Sequence, residues 1–102
     1  MYIAGKVTGV TYLDSTMYVV CARSSKIWSY DTATYRRLDD IIDVEGMKDP
    51  SDVVTCVVDR QLFVADWSSG AQCIWRVSLD DQEGRSSKLH LLTHYCMNYF
   101  MI

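Results

Sequence analysis

The 102-residue chain has no excess of positive charge: ten Lys and Arg stand against 13 Asp and Glu, for a net charge of −3. A nucleic-acid groove needs clustered Lys and Arg to displace counterions. The adjacent pair Arg36-Arg37 is too little, so nucleic acid is not an expected partner. No uncharged apolar run approaches ~18 residues, which excludes a spanning helix. The opening MYIAGKVTGV lacks the basic stretch and apolar run of a secretory signal. The four cysteines (Cys21, Cys56, Cys73, Cys96) are therefore expected as reduced thiols packed as small apolar side chains, in a cytoplasmic protein.

Catalytic signatures are missing as well. There is no Ser-His-Asp order, phosphate-binding loop or Cys-His pair, and Ser24-Ser25 and Ser68-Ser69 read as loop composition. His90, His94 and Cys96 would suit a metal on a helix. On a strand, positions four apart are about 13 Å from one another, too far to share an ion. The acidic stretch Asp39, Asp40, Asp43, Glu45, Asp49 and Asp52 lacks the spacing of a calcium loop and reads as a solvated connector. No catalytic residue, metal or cofactor is expected. No sustained helical periodicity is present either. The nearest approach, Leu38, Ile41 and Ile42, is expected as strand or loop.

What the chain does have is 49% hydrophobic and 23% charged residues, enough for one globular domain with a modest core. It also repeats itself. Asp14-Ser-Thr-Met17-Tyr18-Val19 matches Asp59-Arg-Gln-Leu62-Phe63-Val64. Val10 matches Val53, and Ile27-Trp28-Ser29-Tyr30 matches Ile74-Trp75-Arg76-Val77. The small drift in offset falls between strands, where insertions are cheap.

Each unit reads as a row of short Val-, Tyr-, Ile- and Trp-rich strands. The first has Val7–Leu13, Met17–Ala22, Lys26–Tyr30 and a weaker strand within Tyr35–Val44. The second has Asp52–Val58, Gln61–Ala65, Cys73–Ser78 and Lys88–Leu92. Asp14-Ser15-Thr16 and Asp59-Arg60-Gln61 read as equivalent tight turns. Four antiparallel strands in about 45 residues is the size of one propeller blade. The expected fold is all-β: two four-stranded antiparallel blades, a partial β-propeller. Blade one spans about 7–44, an acidic connector 45–51, blade two 52–92, and an unmatched tail 93–102. The recurrence of Trp28 and Trp75 points to packing between blades.

The strand motifs Pro50-Ser51-Asp52-Val53, Phe63-Val64-Ala65-Asp66 and Cys73-Ile74-Trp75-Arg76-Val77 resemble the repeat of NHL six-bladed propellers. Gly9-Val10, Tyr18-Val19-Val20 and Lys26-Ile27-Trp28-Ser29-Tyr30 follow it in the first unit. The turns lack the family's glycine, Cys21 stands where an aspartate closes the second strand, and Asp52 replaces a glycine. The resemblance implies a non-enzymatic scaffold that presents a ring face to protein partners. It also allows a remnant of a metal-dependent propeller hydrolase, and a truncated fragment without a role of its own is the third alternative.

Two residues are candidates for partner binding. Trp67 has no counterpart in the first unit and opens the polar stretch Trp67-Ser-Ser-Gly-Ala-Gln72; an exposed Trp there makes a plausible hot spot. Arg23 lies in the corresponding link of the first unit. Two stacked blades leave outer faces and edges in water. A homotrimer closing a six-bladed ring is the ordered assembly this implies, and aggregation the disordered one.

Overall fold

A computed structural model describes residues 5–68, 71–79 and 90–97, with Ser68, Ala71 and residues 90–97 described by their backbone alone. The described residues are all-β. Strands β1 (Val7–Leu13), β2 (Thr16–Cys21), β3 (Lys26–Asp31) and β4 (Ile42–Asp43) form one antiparallel sheet in chain order, sheet A. Strands β5 (Pro50–Cys56), β6 (Gln61–Ser68), β7 (Ala71–Ser78) and β8 (His90–Met97) form a second, sheet B. The stretch around Leu38–Val44 is bend and short strand, as expected.

The ladders bear out the repeat residue by residue. In sheet A, Val10 faces Val19, which faces Trp28. In sheet B, Val53 faces Val64, which faces Trp75. The drift in offset arises in the hairpins. Leu13 pairs with Thr16 across the two-residue turn Asp14-Ser15, whereas Cys56 pairs with Gln61 across the four residues Val57–Arg60. The two turns are therefore not equivalent. Asp14 takes a left-handed φ of 57° in the first, and Arg60 takes 52° in the second. Asp14 does so more cheaply, because a short polar side chain bonds locally.

Several strand limits differ from those read in the sequence: β5 begins at Pro50, inside the expected connector, and three further differences bear on the site. The β6–β7 hairpin continues through Trp67, which pairs with Gln72, so Trp67 is a strand residue rather than the start of a loop. Val57 and Val58 belong to a turn and stand in solvent. β8 runs to Met97, so part of the unmatched tail is the outer strand of sheet B. Residues 98–102 of that tail, and Lys88, lie outside the described residues.

The sheets stack face to face. Val20 and Ile27 of sheet A and Val53, Leu62, Val64, Trp75 and Val77 of sheet B share one core, closed at its end by Ile42, Val44 and Met47. β1 crosses β5 so closely that a Cβ on Gly9 would lie 2.9 Å from Val53 N. Thr8 Oγ1 donates to Pro50 O at 2.7 Å, and the hydroxyls of Thr11 and Thr55 share a 2.7 Å hydrogen bond. Met17, Val19, Cys21 and Tyr30, with Trp28 packed against them, form a smaller cluster on the other face of sheet A.

Candidate functional site

The site is organised by Asp66, a carboxylate only 1% exposed near the end of β6. It accepts hydrogen bonds from Trp75 Nε1 at 2.9 Å, Lys48 N at 3.0 Å and Asp49 N at 2.5 Å. Three donors around one buried carboxylate replace the water it has lost. They pin the connector between the sheets against the end of β6.

Asp49, held in this way, faces outward and bonds both candidate residues. Its Oδ1 accepts from Arg23 N at 2.9 Å, and its carbonyl accepts from Trp67 N at 3.1 Å. Both hairpins, β2–β3 and β6–β7, turn at this end. The structure thus brings Arg23 and Trp67 together, on either side of one aspartate. Arg23 is exposed and holds a left-handed φ of 56°. Trp67 is 47% exposed although its backbone is held, its amide by Asp49 O on one side and its position in register with Gln72 of β7 on the other. Lys48, the neighbour of Asp49 in sequence, is exposed, with its amide fixed by Asp66. Asp49 thus ties the backbone of an exposed aromatic to that of an exposed arginine.

Sequence reasoning missed Lys48, Asp49 and Asp66 as parts of this arrangement. Asp49 reads as one of six connector carboxylates. The available signal was Asp66, which closes a hydrophobic strand and precedes a repeated Trp. In sheet A the matching position is Cys21, and Trp28 instead stands beneath the Arg37 guanidinium, 5.3 Å from its ring centre.

The other acidic residues of 39–52 diverge. Asp43 accepts from Ser25 Oγ and approaches Lys26, while Asp52 bonds the amide of Val53. Among the described residues no three His, Cys, Asp or Glu side chains gather as a metal set. The side chains of His90, His94 and Cys96 lie outside the described residues.

The cysteines require a correction. Cys21 and Cys56 remain thiols, but Cys73 is disulfide-bonded. The ladder between β7 and β8, longer than the sequence suggested, sets the backbone of Cys96 opposite Cys73. A disulfide belongs to oxidising surroundings. Cys73 is therefore not among the reduced thiols expected of a cytoplasmic protein. Burial pushes the Cys21 thiol up from its ordinary value. Among the described residues, no helix is long and apolar enough to cross a membrane. No protein-family model matches the chain, and no curated protein matches it in sequence.

Proposed function

We propose that this chain is a non-enzymatic protein-interaction module, a pair of NHL-like propeller blades whose loop end contacts a protein partner through Trp67 and Arg23. The observation that carries this reading is the pair of hydrogen bonds that Asp49 accepts from the amides of Arg23 and Trp67. One residue fixes the backbones of both an exposed aromatic and an exposed arginine. An anchor already held costs less ordering entropy on binding, and Trp and Arg are the side chains that most often dominate interfaces. The exposed Lys48 on the same connector adds charge that steers encounter more than it adds affinity. Three chains closing a six-bladed ring would repeat this end three times on one face, giving a multivalent surface.

The test is photo-crosslinking from a reactive amino acid placed at position 67 and, as the comparison, at Val58 on the exposed turn at the opposite end of β6. A discrete protein adduct from position 67, lost when Arg23→Glu is added, supports the module. Equal adducts from both positions, or none from position 67, overturn it.

A further inference from the structure

The two sheets meet by unlike faces. Sheet B contributes the face bearing Val53, Leu62, Val64, Trp75 and Val77. Their counterparts in sheet A are Val10, Met17, Val19, Trp28 and Tyr30, which lie on the face turned away from sheet B. Sheet A contributes Thr11, Tyr18, Val20 and Ile27. Their counterparts in sheet B are Val54, Phe63, Ala65 and Ile74, again on the face turned away. The joint inside the chain is head-to-tail, and each outer face has the register of a face that is covered within.

Exposure shows what is left open. Val10 is 41% exposed while its counterpart Val53 is 2%; Met17, Val19 and Tyr30 of the same face are already buried, so what is open there is the β1 side, Val10 and Tyr12. Ile27 is fully buried while Ile74 is only half-buried. The outer face of sheet B has a hollow of about 150 Å³ lined by Asp52, Val54, Phe63, Ala65 and Ile74, among others. Most telling is the pair that corresponds to the hydrogen-bonded Thr11 and Thr55. Thr11 is matched by Val54 and Thr55 by Tyr12, and these are 54% and 56% exposed. In place of two short hydroxyl side chains stand a valine and a tyrosine, which can pack through the methyls and the ring with the phenolic hydroxyl at the tip.

We propose that the outer face of sheet B docks the exposed β1 side of the outer face of sheet A in a second copy of this chain, with Val54 of one copy against Tyr12 of the next. The contact is heterologous, so each copy keeps a free face for the next, and the chain of copies ends only where the rotation closes it into a ring. It rests on the blade-pair reading above but not on the Trp67 surface. One residue opposes it. Asp52 stands where Gly9 stands inside the chain, and a Cβ at Gly9 already meets the backbone of the facing strand. The joint between copies is therefore looser than the one within.

The experiment is disulfide trapping of the full chain. Tyr12→Cys with Val54→Cys is expected to link copies into multimers under mild oxidation, while each single variant and the wild type stay unlinked. Light scattering on the wild type is expected to give more than one chain mass. Tyr12→Glu, at a surface site that leaves the core intact, is expected to weaken association by about tenfold or more, and Asp52→Gly to tighten it by about tenfold. Absence of links in the double variant, equal links in the singles, or a cooperatively melting wild type with the mass of one chain overturns the proposal. Loss of the Trp67 adducts with trapping intact would remove only the partner surface.

Discussion

Trp75 donates its indole N–H to Asp66 Oδ2 at 2.9 Å inside the core shared by the two sheets. The same carboxylate receives the amides of Lys48 and Asp49. Asp66→Ala strands three donors at once, each costing about 1–3 kcal/mol when left unsatisfied. Chemical denaturation should show a loss of at least about 3 kcal/mol. Asp66→Asn keeps an acceptor but turns an amide group toward donors, and should fall between the two. If Asp66→Ala unfolds at the wild-type midpoint, the carboxylate is not what holds the connector.

Gly9 sits where β1 and β5 cross. Its missing side chain is a steric requirement, since a Cβ would meet Val53 N at 2.9 Å and Asp52 Cα at 3.0 Å. Backbone does not swing aside as a flexible side chain does. Gly9→Ala should cost about 1–3 kcal/mol, the usual range for overpacking, despite the gain Ala normally brings to a strand. A neutral effect on thermal unfolding would mean the sheets separate easily.

The apolar repeat was readable because hydrophobic side chains recur in the same register, as Val10, Val19 and Trp28 do against Val53, Val64 and Trp75. Turn chemistry misled at two places. Ser68-Ser69-Gly70 has the composition of a loop, and it hid that the ladder passes through Trp67 to Gln72. Asp14 and Asp59 match in sequence, yet the hairpins they belong to differ in length, and the left-handed residue of the second is Arg60. The role of Asp66 was out of reach for another reason. Its donors lie on a connector whose return to β6 depends on how the sheets stack, and local composition says nothing about that.

Arg60 Nη1 and Asp14 Oδ2 lie 2.6 Å apart, joining the two hairpin turns across the sheets. Both side chains are substantially exposed, so the pair should contribute under about 1 kcal/mol and fade with salt. Asp14 also bears a left-handed φ. Asp14→Gly loses the ion pair but removes the backbone penalty of about 1 kcal/mol, so its stability should stay near that of the wild type. Asp14→Ala loses the pair and keeps the strain. Finding Ala equal to or better than Gly, by denaturation at low salt, would sink the argument.

Cys21 gives a pH dependence with a definite sign. Burial raises its pKa above the ordinary 9.0, so the folded chain retains the proton at a pH where the unfolded chain releases it. The stabilising contribution is complete below about pH 9 and is lost as pH rises through the folded value. Unfolding should therefore become easier above pH 9, and Cys21→Ala should flatten that slope. An unchanged slope in the variant would assign the alkaline loss to other groups, such as Tyr18, whose pKa burial also raises.

The three tryptophans should separate cleanly on replacement by alanine. Trp75 is 4% exposed, fills the core between the sheets and bonds Asp66, so Trp75→Ala should cost about 3–5 kcal/mol. Trp67 projects from a strand whose ladder does not depend on its side chain, and Trp67→Ala should stay within about 0.5 kcal/mol. Trp28 occupies the register of Trp75 but is half-buried and lacks the carboxylate partner, which puts Trp28→Ala between them. Its face is also the one a second copy would cover. Wild-type melting temperature should then rise with protein concentration, as binding to the folded form requires, and Trp28→Ala should blunt that rise while Trp67→Ala leaves it intact. Equal concentration dependence in all three proteins would detach Trp28 from any contact between copies.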